Sequence, residues 1–124
     1  MRETRFVAVI ALALAVVLTG CVDESANSSR ALEIASRDLV PADDALAAIY
    51  NRSCRSCHTV AATGAPLTGD EAGWSDRMGK GLDTLVDNVV NGFGGMPPFG
   101  MCMDCDAQQF EDLIVFMAQG PQHD

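Results

Sequence analysis

The chain has 124 residues, which is enough for one small domain and too few for two ordinary ones. It carries 17 acidic residues against eight lysines and arginines, so its formal net charge is −9. This acidity argues against a nucleic-acid-binding protein, because such proteins are basic, and favours encounters with positively charged partners.

A secretory signal peptide is the first element that the sequence predicts. A short basic start, Met1–Arg5, precedes an uninterrupted apolar run over 6–18, which is too short to span a bilayer comfortably. A short buried helix is the alternative interpretation. The run ends in Leu-Thr-Gly-Cys21, which resembles the bacterial lipobox. We therefore expect cleavage before Cys21 and lipid on its thiol, with ordinary cleavage to a soluble protein as the alternative.

These signals divide the chain into four parts. A lipoprotein signal peptide covers 1–20, a lipidated tether covers 21–41, one domain covers 42–120 and a tail covers 121–124. The first half of the tether is polar and small, as flexible linkers are, and the second half is compatible with either a short helix or an extended arm. The predicted location is the bacterial periplasm, with the protein held to a membrane through Cys21.

Three segments of the domain have the apolar periodicity of an amphipathic helix. They cover about 43–53, 82–91 and 106–119. Asp106 and Gln109 have the spacing of a capping box at the start of the third helix. Loops rich in glycine and proline connect the helices, and no strand alternation of useful length occurs. The sequence predicts an all-α domain of about three main helices, too small to close a core easily without a cofactor or a cross-link.

The motif Cys54-Arg-Ser-Cys57-His58 ends the first predicted helix. C-x-x-C-H is the attachment signature of c-type haem: the two thiols reach the two vinyl groups of one haem, and the histidine becomes the proximal iron ligand. A thioredoxin-like pair is an alternative, but no βαβ pattern surrounds the motif. A zinc site that also uses Cys102 and Cys105 is another, although 44 residues separate the two pairs.

A sixth iron ligand is expected downstream, where methionine is the usual residue. Met96 is the first candidate, because the glycines before it allow close backbone approach and Pro97 and Pro98 stiffen the loop. Met101 is the second candidate. Among the other possible ligands, Met117 belongs to a helix stripe, Met78 is expected to pack beside Arg77, and His123 lies near a polar terminus.

From about 46 to 117 the sequence resembles the cytochrome c5 group of class I c-type cytochromes. The matching residues are Ile49-Tyr50, the C-x-x-C-H motif at 54–58, Gly64-Ala65-Pro66, Gly69-Asp70, Trp74, Arg77, Gly81, Asp83-Thr84-Leu85, Gly92, Met96-Pro97-Pro98, Cys102, Cys105 and Phe116-Met117. One departure is Ala61, where the family often has glycine; the added methyl group is acceptable unless the position needs a positive φ.

The resemblance implies a class I cytochrome c fold around one covalent haem c with His58 and Met96 as axial ligands. It also implies a disulfide between Cys102 and Cys105, for which a redox-active pair is the alternative. The implied function is single-electron transfer in a respiratory chain, with no catalysis of its own. Its partners would be redox proteins with basic docking patches, not nucleic acid.

Four further residues are candidates for contacts around the haem. The carbonyl oxygen of Pro66 is the candidate acceptor for the second ring nitrogen of His58. Trp74, Arg77 and Lys80 are candidates for holding the haem propionates, with a core aromatic and a solvated charge as the plainer interpretations of Trp74 and Lys80. Three rival functions remain: a peroxidase or gas-binding haem protein, a zinc-stabilised module, and a fixed subunit of a respiratory complex.

Overall fold

The computed structural model describes residues 24–121, which form helices joined by loops and no strand. The helices are α1 (Glu24–Asp38), α2 (Asp44–Ile49), α3 (Arg55–His58), α4 (Glu71–Met78), α5 (Leu82–Asn91) and α6 (Ala107–Gln119); the turns are π-helical at Tyr50–Cys54 and 3-10 at Ala61–Thr63 and Pro98–Met101. The predicted all-α class is confirmed. The signal peptide, Cys21 and His123 lie outside the described residues.

Helices α5 and α6 form where the periodicity predicts them. The predicted capping box is present at the start of α6: the Asp106 carboxylate accepts from the Gln109 N–H at 2.8 Å, and the Gln109 side chain accepts from the Asp106 N–H at 3.0 Å. These two bonds satisfy donors that no helical carbonyl can reach. A glycine follows each of the two helices, as expected.

The core is built around α6, which contacts α2, α4 and α5. Its residue Leu113 is 1% exposed. Phe116 meets Tyr50 at the end of α2 in an edge-to-face ring contact with centroids 5.1 Å apart. Tyr50 has no exposed surface, and its hydroxyl is 2.9 Å from the hydroxyl oxygen of Thr68. This packing fixes the segment that continues from α2 into the C-x-x-C-H motif.

The polar half of the expected tether is not an open linker but the start of helix α1. The helix docks through its second half on the segment around His58. Glu33 accepts the N–H of Ala61 at 3.0 Å, and the Arg55 guanidinium donates to the carbonyl oxygen of Arg37 at the helix end. Ser36 is fully buried. Tertiary contacts therefore hold the second half of α1, which the sequence left as either a short helix or an extended arm.

Helix α4 was not predicted either. Asp70 caps it by accepting from the N–H of Gly73 at 3.1 Å, and Trp74 is its buried residue. Within residues 24–121, no helix combines the length and apolar character that crossing a bilayer requires. Helix α4 thus places Trp74 in the core that also contains residues of α2, α5 and α6.

Candidate functional site

The motif cysteines are positioned by an unusual helical turn. Between α2 and α3 the backbone pairs as a π-helix, with the N–H of Arg55 donating to the carbonyl oxygen of Tyr50. Such turns add a residue to the helix and are frequent at functional sites. Both thiols are free: Cys57 is exposed and Cys54 is half-buried. Burial raises the pKa of Cys54 to about 11, so its thiol is protonated at neutral pH.

His58 is buried with one ring nitrogen already used. Its Nδ1 lies 2.8 Å from the carbonyl oxygen of Pro66. Because a carbonyl can only accept, Nδ1 carries the proton and the lone pair is on Nε2. Burial lowers the pKa of His58 despite the opposing effect of the Pro66 bond. The result is a neutral, oriented imidazole with Nε2 in the state that a metal needs.

Trp74 packs against His58, and its indole N–H already has a hydrogen-bond partner. Its ring is stacked on the imidazole with centroids 5.8 Å apart, and its indole N–H donates to the carbonyl oxygen of Leu67 at 2.9 Å. That donor is therefore engaged and not free for a propionate. Arg77 donates one guanidinium N–H to the carbonyl oxygen of Gly73. The guanidinium has four more N–H groups, which could bond a haem propionate. Lys80, the other candidate cation, is exposed.

The loop that carries Met96 is closed by two backbone bonds with Phe93, at 3.1 and 2.9 Å. It begins at Gly92, whose φ is +81° and whose missing Cβ would lie 3.1 Å from the Met96 carbonyl oxygen, so glycine is required there. Met96 is half-buried, whereas Met101 is 72% exposed. Met78 and Met117 pack in the core. Met96 is therefore less exposed than Met101, the second candidate.

Cys102 and Cys105 form a disulfide just after this loop. Cys102 is 1% exposed and belongs to the core, whereas Cys54 and Cys57 are free thiols. A zinc site that uses all four cysteines is not compatible with this arrangement, because only two of them retain a thiol. Ala61 does not have a positive φ, so its methyl group causes no backbone strain.

Sequence reasoning missed two features of this region. Phe99 and Met101 have left-handed φ angles of 60° and 66°, which residues other than glycine rarely adopt, and Gly100 lies between them at 54°. Neither strained position is a glycine or an asparagine, so the residue types give no sign of the two left-handed angles. The second feature is the π-helical turn, for which the apolar pattern gives no signal.

The donor set fits haem c. Two free thiols flank a short turn that ends in a buried imidazole with Nε2 available, and a half-buried thioether sulfur lies on a loop of the same body. Thiols at this spacing suit two thioether bonds to one haem, and nitrogen with thioether sulfur is a common axial pair for its iron.

Comparisons with known proteins agree with this chemistry. Residues 41–117 match the family model described as cytochrome c oxidase, cbb3-type, subunit III. The chain is 35% identical to cytochrome c5 of Ectopseudomonas mendocina over 79 residues, which is 62% of this chain and 86% of the relative. It is 43% identical to cytochrome c-555 of Chlorobaculum tepidum over 74 residues, which is 56% of this chain and 68% of the relative.

One solved structure is similar in both fold and sequence. It is described as an electron transfer complex of nitrite reductase with cytochrome c. The match has a TM-score of 0.54 and 30% identity, and it covers 61% of this chain and 93% of the other. Helix α1 lies before the first residue matched by the family model.

Proposed function

The chain belongs to the class I c-type cytochromes, in the cytochrome c5 group, and on this premise we propose that it is a membrane-tethered periplasmic electron carrier of a respiratory chain. As a member of this family the chain carries covalently attached haem c and functions in electron transfer. One C-x-x-C-H motif corresponds to one haem. The observation that supports the proposal most directly is the buried His58 imidazole, held by Pro66 with Nε2 free.

In this proposal each residue has a separate task. Cys54 and Cys57 form the thioether bonds, and His58 and Met96 are the axial ligands. Bound haem supplies a one-electron couple, whose potential methionine ligation raises. With both axial positions taken by the protein, no position remains for oxygen or peroxide, so we propose that the chain is a carrier and not an enzyme.

The remaining tasks are structural. The Pro66 carbonyl orients His58, Trp74 packs against the imidazole, and Arg77 is the candidate partner of a propionate. Little of the chain needs to move when one electron arrives or leaves, because the ligands belong to a packed helical body. Partners are redox proteins with basic patches, since the chain is strongly acidic. Encounters should be small and transient.

The test is the visible spectrum of the exported full chain, oxidised and reduced, with a pyridine haemochrome assay. We expect covalent c-type haem and the weak far-red band of a methionine–ferric iron bond. Met96→Ala should abolish the band, and the matched change Met101→Ala should keep it. A colourless folded protein contradicts the cytochrome proposal, and a band that survives Met96→Ala contradicts this ligand assignment.

The anchor is tested separately by labelling with an alkyne fatty acid. We expect the label in the chain and the protein in the membrane fraction, and neither with Cys21→Ala. A soluble, unlabelled wild-type protein would leave the carrier proposal standing and remove the tether.

A further inference from the structure

An arginine connects the two segments that carry the proposed axial ligands. Arg52 donates from both terminal nitrogens to the carboxylate of Asp104, at 2.9 and 2.8 Å. The same guanidinium donates to the Sγ atom of Cys102 at 3.3 Å. At least 50 residues separate the partners in sequence, so these are tertiary contacts and not contacts within one helix.

One end of this connection is fixed in the motif segment. Arg52 lies inside the π-helical turn Tyr50–Cys54, two residues before Cys54. Tyr50 anchors that turn in the core, since it has no exposed surface. The guanidinium therefore extends from a backbone whose position is already set by packing.

The other end is fixed to the loop after Met96. Asp104 lies within the short ring closed by the Cys102–Cys105 disulfide. The N–H of Cys102 donates to the carbonyl oxygen of Phe99 at 2.8 Å, so the ring is joined to the turn Pro98–Met101 that follows the ligand. A displacement of Asp104 would therefore move the disulfide ring and, through the Cys102–Phe99 bond, the turn that follows Met96.

The loop needs such a restraint. Phe99 and Met101 hold left-handed backbone angles that are unfavourable for side chains with a Cβ, and strained conformations persist only where the surroundings over-determine them. Met101 is largely exposed and gains little from packing. Phe99 packs against the core and the turn packs against α5, and Arg52 adds a contact to the disulfide ring that flanks the turn.

We propose that Arg52 is a positioning residue that clamps the disulfide ring to the π-helical turn Tyr50–Cys54 of the attachment motif and so keeps Met96 on the iron. The inference rests on the proposed His58–Met96 ligation and adds what holds that ligation in place. Both partners are partly or largely exposed, so the clamp acts on local opening of the loop more than on global stability. The lowered pKa of Asp104, caused first by its bond to Arg52, agrees with a formed pair.

The fork geometry matters more than the charge. Arginine presents two parallel donors to a carboxylate and still has a donor for sulfur, whereas lysine offers a single point of attachment. Arg52→Lys should therefore behave like Arg52→Ala. Arg37→Ala is the matched control, because it removes another exposed arginine–carboxylate pair, that with Glu33 on α1.

The experiment measures how fast cyanide binds to the ferric full-chain holoprotein, since cyanide must wait for the methionine to leave. We expect Arg52→Ala to bind about fivefold faster than wild type, and Arg37→Ala to stay within about twofold. The denaturant midpoint for loss of the far-red band should fall in Arg52→Ala while the midpoint from far-ultraviolet circular dichroism changes less.

Asp104→Asn supplies a second variant should Arg52→Ala fold poorly, and we expect it to accelerate cyanide binding to the same extent. The double variant should be no faster than either single one, because both remove the same contact. Equal rates in wild type, Arg52→Ala and Asp104→Asn overturn the clamp. A wild-type spectrum without the methionine band overturns the ligation itself, and the clamp with it.

Discussion

Two hydroxyl groups share a hydrogen bond at the centre of the core. The hydroxyls of Tyr50 and Thr68 are 2.9 Å apart, and Thr68 also donates its N–H to the carbonyl oxygen of His58 at 2.8 Å. Burial raises the pKa of Tyr50, so its hydroxyl stays protonated. A buried hydroxyl needs a hydrogen-bond partner, which here is Thr68. Thr68 therefore joins the core to the residue proposed as the proximal ligand.

We predict that Thr68→Val lowers the free energy of unfolding by about 1–3 kcal/mol, because it leaves the buried Tyr50 hydroxyl without its partner. Denaturant unfolding of the holoprotein measures this. Thr84→Val is the control: its hydroxyl bonds to the Lys80 carbonyl oxygen on the exposed side of α5, and its cost should stay below about 0.5 kcal/mol. Equal costs at the two positions would show that the shared hydroxyl bond contributes nothing.

Some residues of the site could be chosen from the sequence because their chemistry is rare and their spacing is strict. Cys54, Cys57 and His58 are of this kind. The relation of His58 to Pro66 also followed from the expected need to orient the imidazole. The role of Trp74 did not, because the sequence does not reveal that Leu67 takes its N–H. Hydrogen-bond competition of this sort is decided only by tertiary packing.

At the scale of elements, prediction succeeded where one face of a helix is apolar and failed where contacts hold a polar segment. Helices α5 and α6 have clear apolar stripes and stop at glycine. Helix α1 has a polar sequence and is ordered by bonds such as Glu33 to Ala61, which lie 28 residues apart. No local pattern encodes such a bond; the expected flexible tether was wrong for 24–30, and of the two alternatives left open for the second half the helix is the one observed.

Glu33→Ala should loosen α1 without unfolding the domain. The carboxylate accepts the Ala61 N–H and pairs with Arg37, both at an exposed surface, so we expect about fivefold faster amide exchange at Ala61 and along α1. Hydrogen exchange read by NMR measures it. Glu24→Ala, in the first turn of the same helix, should leave exchange at Ala61 unchanged. If both variants exchange alike, Glu33 does not hold the helix.

At the scale of the whole molecule, charge is unevenly distributed along the chain. Residues 81–121 contain six acidic residues and no lysine or arginine, whereas every basic residue of the described part lies before them. This acidic portion includes α5 and the Met96 loop, and α5 packs against the turn Pro98–Met101. Helix α5, which packs beside the turn after the proposed sixth ligand, therefore carries two acidic residues and no basic one.

We predict that Asp83→Lys/Asp87→Lys on α5 slows electron exchange with a basic cytochrome c by on the order of tenfold at low ionic strength, because it removes attraction during encounter. Stopped-flow mixing measures the rate. Glu71→Lys/Asp76→Lys on α4 is the matched control and should slow exchange less, and added salt should remove the difference. Equal slowing by the two pairs would mean that net charge, and not its distribution, governs the encounter.

The docked helix α1 also sets how far an anchored domain can travel. The 15 residues Glu24–Asp38 would extend to about 50 Å as a free tether, whereas as helix α1 they span about 22 Å. A shorter tether raises the effective concentration of partners that lie beside the anchor. The effective concentration is near zero for partners that the tether cannot reach. Such a carrier would meet its donors and acceptors by drifting sideways in the plane of the membrane.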